Sequence, residues 1–316
     1  MSQSAIPDSD LDGVILKSSD NAYLRASRAL LSLASPILKD MIALPAEELK
    51  DDLPVIQLTE HSRTLEHLIS ICGQKWIKDP IIPSISQFGE VMTAAKAYRM
   101  DGAMQIIERL LVDSPLLKQE VLGCFALGKY FGLQQLAQAA AEHTLSLPLF
   151  SRPSCSELDR ITSGDYVRLQ AFYTACQAAF RARVEGRAIP PSRFKGQKGN
   201  FPWMTRDSFV WLTCTSCPPA TGRQVKTSSG KTYTPRQWWC NYLDRISLKF
   251  SQSPSLEICS QPENISYAIN LTHSCAVCRE ALVQDVQDFN KMLLMELNRI
   301  ISEVSALAER DDRAVN

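Results

Sequence analysis

The chain has 316 residues, with 34 Lys or Arg against 34 Asp or Glu, for a formal charge of zero; 45% of residues are apolar and 22% charged. This balance is ordinary for a folded globular chain and excludes a collagen-like, low-complexity or wholly basic protein. The length allows two domains, each able to bury a core.

Residues 1–12 are mostly polar and acidic, without the basic and apolar regions of an export signal. No run approaches the ~20 apolar residues of a membrane span, so no membrane partner is expected. The ten Cys are therefore expected as reduced thiols or metal ligands, in the nucleus or cytoplasm.

In chain order, Gly13-Val-Ile-Leu-Lys17 reads as a strand, Ser18-Ser-Asp-Asn21 as a turn, and residues 22–26 as the returning strand of a hairpin. Leu30, Leu31, Ala34, Ile37, Leu38 and Met41 recur at helical spacing, with Ser35 before Pro36 as an N-cap. Val55, Ile56 and Leu58 form another strand. Thr59 or Ser62 is placed to cap the helix that carries Leu65, Leu68, Ile69 and Cys72. Residues 73–84 read as a loop. Helices follow through Phe88, Val91, Met92, Ala95 and Tyr98, then through Met104, Ile107, Leu110 and Leu111.

Residues 114–150 read as two helices, lined by Val121, Cys124, Phe125 and Leu127, and by Leu133, Leu136, Ala137 and Ala140. Tyr166, Leu169, Tyr173, Cys176 and Phe180 make one face of a third, over 165–184. A Gly/Pro-rich basic linker or loop is expected at 186–202. Residues 201–281 hold four of the five Trp but look too short and polar for a large core. The chain ends in a long amphipathic helix with the stripe Leu282, Val286, Phe289, Leu293, Leu297, Ile300, Val304 and Leu307. Its spacing fits either a coiled-coil arm or, preferably, a helix packed back on its own domain.

The order of pieces in residues 9–113 is specific. Tyr23-Leu-Arg-Ala-Ser-Arg-Ala-Leu-Leu-Ser-Leu-Ala-Ser-Pro-Ile-Leu runs out of the second strand, and Ala95-Lys-Ala-Tyr-Arg-Met100 closes the later helix. This region, about a third of the chain, resembles a BTB/POZ domain. That family carries x-A-H-[KR]-x-x-L-x-x-x-S-P-x-F and A-x-x-Y-x-[ML]. Ala26, Arg28, Leu31, Ser35 and Pro36 match the first pattern, and Ala95, Tyr98 and Met100 the second. Ser27 stands in place of the usual His, and Leu38 where Phe is common.

The arrangement is similar to BTB-domain proteins of fungi. The resemblance implies an α+β fold: a BTB/POZ-like domain at 9–113, a helical extension at 114–185, and a small C-terminal domain at 203–316. It also implies a protein-interaction module and not an enzyme. Homo- or hetero-oligomers or adaptor contacts would follow, in transcriptional or cullin ubiquitin-ligase complexes, with a short adaptor-type form favoured because only 12 residues precede Gly13.

Two C-x-x-C pairs, Cys214/Cys217 and Cys275/Cys278, suit a Cys₄ structural zinc site, with Cys240 or His273 as alternative ligands. The 57 residues between the pairs exceed the usual separation, although closure cost grows only logarithmically. Four buried small hydrophobes or a redox role are the other readings. Cys72, Cys124 and Cys176 are expected in cores. No nucleophile–base pattern joins His61, His67, His143 or His273, and no phosphate-cradle motif occurs, so no catalytic residue is expected.

Residues 181–236 carry eleven Lys/Arg against two acids, a net of +9, with aromatics interleaved, whereas 1–180 carry −5 and 237–316 carry −4. The basic, aromatic-rich stretch 181–240 offers an alternative function, contact with nucleic acid. The plainer expectation is a domain that neutralises this charge with its own acids.

Overall fold

The computed structural model describes residues 13–73, 81–148, 154–186 and 199–315, with side chains up to residue 306. Residues 1–12, 74–80 of the expected loop and 187–198 of the expected linker lie outside the described residues. The chain is mixed α+β, dominated by helices, and divides into two compact units. One comprises Met1–Ala140 with Cys155–Ile161, the other Ala141–Ser154 with Thr162–Asn316. The expected helical extension, 114–185, is therefore divided between them.

In the first unit, β1 (Gly13–Lys17) and β2 (Tyr23–Ser27) form the expected hairpin, with Gly13 opposite Ser27 and Lys17 opposite Tyr23. Asn21 takes the left-handed conformation of the turn (φ 61°), which Asn tolerates better than most residues. After α1 (Arg28–Ala34) and α2 (Pro36–Ala43) comes β3 (Leu49–Lys50), which the sequence reading misses, then β4 (Leu53–Gln57). Asp51 and Asp52, both at positive φ, make the two-residue turn between them. The sheet order is β2-β1-β4-β3, with β1 parallel to β4. Central β1 buries Val14, Ile15 and Leu16 on both faces, which explains its unbroken apolar run.

Helices α3 (Ser62–Cys72), α4 (Ile85–Ala97), α5 (Asp101–Val112), α6 (Leu116–Gln119), α7 (Val121–Phe131) and α8 (Gln134–His143) follow. The cap expected from Thr59 or Ser62 comes instead from Asp20 in the hairpin turn. Its carboxylate accepts the Ser62 backbone N–H (2.9 Å) and hydroxyl (2.7 Å). Hydroxyl bonds from Ser18 and Ser62 hold the Asp20 carboxyl well below the usual range. Gly128 lets α7 approach α8 closely: a Cβ there would lie 2.7 Å from the Ala137 nitrogen.

Ser35 ties this unit together. It ends α1 and starts α2, and it is fully buried. Its hydroxyl accepts the Leu38 N–H (3.0 Å) and donates to the Tyr98 carbonyl (2.6 Å) at the end of α4. Just beyond, Arg99 turns the chain in the left-handed conformation (φ 52°). Met100 N–H returns to Ala95 O and Arg99 N–H to Lys96 O, a Schellman closure that ordinarily uses glycine.

The second unit contains α9 (Ser163–Val184), α10 (Val210–Thr213), the short hairpin β5 (Val225–Lys226) with β6 (Thr232–Tyr233), α11 (Gln237–Gln252), α12 (Pro262–Thr272) and α13 (Ala276–Val315). Thr162 and Asp165 form a reciprocal capping box at the start of α9.

The expectation of a poor core in 201–281 is wrong. Trp211 stacks between Phe209 (centroids 4.3 Å apart) and Trp239 (5.4 Å), and Phe289 of α13 meets both indoles edge-on. Each such ring removes ~150–250 Å² from water, so few residues suffice. The core is completed from outside the segment, by Tyr173, Cys176 and Phe180 of α9 and by the α13 stripe from Leu282 to Ile300. The long helix thus packs on its own unit. No helix among the described residues is long and apolar enough to cross a membrane.

Replacing Ser35 by Ala removes a helix cap and strands the buried Tyr98 carbonyl. The expected cost is about 2–3 kcal/mol, read from urea denaturation followed by far-UV circular dichroism. An unchanged midpoint would remove Ser35 from its central role.

Candidate metal centre

Cys214 ends the single turn of α10, its N–H bonded to Val210 O (2.9 Å), and Cys217 lies three residues on. Cys275 immediately precedes α13 and Cys278 lies in its first turn, where the Arg279 N–H closes onto Cys275 O (3.0 Å). The four sulfurs lie within 4.8 Å of one another. The Cys214–Cys275 pair is 3.8 Å apart and the Cys217–Cys278 pair 3.6 Å. Four sulfurs around a tetrahedral zinc with bonds of ~2.3 Å would be ~3.8 Å apart, whereas a disulfide needs ~2.0 Å. All four cysteines are free thiols, and all are buried. The spacing therefore suits a metal and not a bridge.

The alternative ligands do not join this set. Cys240 is buried in α11, where its carbonyl accepts from Arg223 (3.4 Å). His273 is exposed, and its Nδ1 is 2.8 Å from the Asn270 carbonyl, a contact that closes the end of α12. Sequence proximity suggested both, but helix geometry turns them away.

The thiols differ in character. The Cys278 backbone N–H bonds the Cys275 sulfur and draws that thiol down to about 7. Burial pushes Cys217 up to about 11 and raises Cys278 as well. The raised thiols of Cys217 and Cys278 hold their protons in the absence of metal, so metal binding would release them. The thiols of Cys124, Cys176 and Cys259 are raised to about 12 by burial, as befits inert core residues, whereas Cys72, raised to about 11, is only half-buried and not in the core expected for it.

A buried acid holds the first pair in place. Asp285, on the packed face of α13, accepts the Val210 N–H at the start of α10 (2.7 Å) and pairs with Arg206 (2.8 Å), which also reaches Asp288 (3.1 Å). The sequence places Arg206 only in the basic stretch 181–236 and does not mark Asp285 at all. The available signal was an acid three residues past Leu282, within the apolar stripe.

The basic segment meets acids of its own unit. Arg183 pairs with Glu296 (2.7 Å) and Arg223 with Asp244 (2.6 Å), besides Arg206 with Asp285. Arg187, Arg193, Lys195 and Lys198 lie outside the described residues. Phe201, Trp211 and Trp238 are buried in the core and offer no face for base stacking. Trp203 and Tyr233 are half-buried, and Phe194 lies outside the described residues.

No protein-family model matches the chain, and no curated protein matches it.

A lowered thiol favours the folded state above its unfolded value, and that gain fades as pH falls through about 7. Metal-free protein treated with limiting iodoacetamide at about pH 8 is therefore expected to be labelled at Cys275 before Cys217 or Cys278. Peptide mass spectrometry gives the order, and initial labelling at Cys278 would contradict the assignment.

Proposed function

We propose that the chain is a protein-interaction scaffold. A BTB/POZ-like unit is followed by a second unit stapled by a structural zinc ion, and the protein assembles or adapts protein complexes without catalysing a reaction. The observation that carries this reading is the Ser35–Tyr98 bond. The two stretches on which the resemblance rests, Ser35-Pro36 and Ala95 to Met100, are far apart in sequence, yet one buried hydroxyl joins them. Ala26, Leu31, Ala95 and Met100, all matches to the family pattern, are buried in the same core. Leu38 is buried too, so it serves in packing where the family commonly has Phe.

The zinc reading is supported by the four-sulfur geometry. Thiolates are soft ligands, and a tetrahedral set of four favours zinc or iron over hard cations. Four protein ligands leave no coordination position for substrate, which fits a structural role. The resemblance points to transcriptional or cullin-based complexes in the nucleus or cytoplasm, with homo- or hetero-oligomeric contacts.

Two measurements test the two halves. Metal analysis of purified full-length protein is expected to give about one zinc per chain, and near none in Cys278→Ser; a wild-type value near zero would eliminate zinc. For the interaction role, α1 presents Leu33 (86% exposed) and Leu30 (41%) beside a groove lined by Ile71, Cys72, Ala103 and Ile106. Leu33→Asp alters this surface without entering the core. A partner identified by affinity purification and rebound from purified components is expected to lose at least about tenfold in affinity, since central apolar contacts dominate interfaces. Undiminished binding would count against α1 as the contact face.

A further inference from the structure

We infer that Arg236 is the charge-balancing and positioning residue of the four-cysteine centre, an inference that rests on the zinc reading above. Zinc(II) held by four thiolates carries a net charge of −2. Such a charge is costly to bury unless donors and cations face it. The backbone contributes the Cys278 N–H on the Cys275 sulfur. That leaves the first pair, at Cys214 and Cys217, to be balanced from elsewhere.

Arg236 is placed for this. It occupies the cap position of α11, and its backbone N–H donates to Trp211 O (2.8 Å), three residues before Cys214. Its side chain reaches over the same turn, and Nη1 donates to the carbonyl of Cys217 (3.0 Å). The next N–H, of Gln237, donates to Pro218 O (3.0 Å). One residue therefore grips the chain on both sides of the first pair, with the positive end of α11 behind it.

The Arg236 Nε is buried and has no hydrogen-bond partner among the described residues. A buried donor on a guanidinium is seldom left unsatisfied, and a thiolate centre on the turn that Nη1 already holds would offer it an anionic acceptor. Arg279, which follows Cys278 directly, is exposed, so solvent screens its charge. The other arginines of the region, Arg206 and Arg223, are committed to Asp285 and Asp244.

The test uses the full chain. Zinc affinity is measured by competition with a chromophoric chelator, and the cobalt(II)-substituted protein supplies the sulfur-to-metal charge-transfer band. Arg236→Met is expected to bind zinc roughly 10–100-fold more weakly, the usual effect of losing an outer partner of a metal ligand. Its charge-transfer band should move to lower energy, because thiolates without a counter-charge are easier to oxidise. Arg236→Lys keeps the charge and should recover most of the affinity. If the methionine variant fails to fold, the lysine variant alone decides: affinity close to wild type supports the assignment, and a loss of tenfold or more overturns it. Arg279→Met should leave affinity within about threefold. Unchanged affinity and band position in Arg236→Met, or an equal loss in Arg279→Met, would overturn the inference. Wild-type protein that takes up no zinc would instead overturn the zinc reading.

Discussion

Phe289 sets the geometry of the second unit. Fully buried on α13, its ring lies 5.4–6.4 Å from those of Trp203, Phe209, Trp211 and Trp239. A helix is rigid at ~1.5 Å per residue, so fixing Phe289 fixes Asp285 about 6 Å back along the axis and Cys278 about 16 Å back. Asp285 then meets the first N–H of α10, and the end of that single turn delivers Cys214. The two cysteine pairs, 57 residues apart in sequence, thus meet because one aromatic core sets the register between α13 and the segment from Phe209 to Cys214.

What the sequence reveals here, and what it hides, follows from the range of each interaction. The β1–β2 hairpin, the Ser35-Pro36 helix start and the α9 and α13 stripes are local patterns, and all of them appear in the fold. The two C-x-x-C pairs are also local, because two ligands from one turn require that spacing. Their union depends on the core. Asp20 capping α3, Asp285 capping α10 and Ser35 bonding Tyr98 are contacts between distant residues, and no periodicity announces them. The β3 strand is missed for another reason: two residues carry no alternation, and the Asp51-Asp52 turn was its only signal.

Part of the opposed charge behind the zero net charge is paired within the second unit. The basic stretch from Arg181 to Arg236 and the acids of α11 and α13 belong to one unit, and Arg183, Arg206 and Arg223 each find a carboxylate there. Asp285 and Glu296 are nearly buried. Such pairs contribute little net stability once desolvation is counted, but removing one partner leaves a buried charge exposed to no solvent and is costly. Their effect is therefore on register: α13 cannot slide or rotate by a turn without stranding Asp285, Asn290 and Glu296. Phe289 and the polar residues specify the same alignment from opposite sides, one by shape and the other by unmet hydrogen bonds.

This arrangement changes the role a metal would have. Small zinc modules fold only when the ion binds, because their cores are too small to offset chain entropy. The second unit has a core running from Leu145 to Ile301 with Trp211, Trp239, Tyr173, Phe180, Phe209, Phe250 and Phe289 fully buried. That core is far larger than the cores of such modules. An ion at the four sulfurs would act on the remaining local freedom. It would lock the first turn of α13 to the turn after α10 and fix the loop that Arg236 grips. The metal-free unit would then keep its aromatic core and lose order mainly at the two cysteine turns, which makes the centre a local clamp on a prefolded body and not the nucleus of its fold.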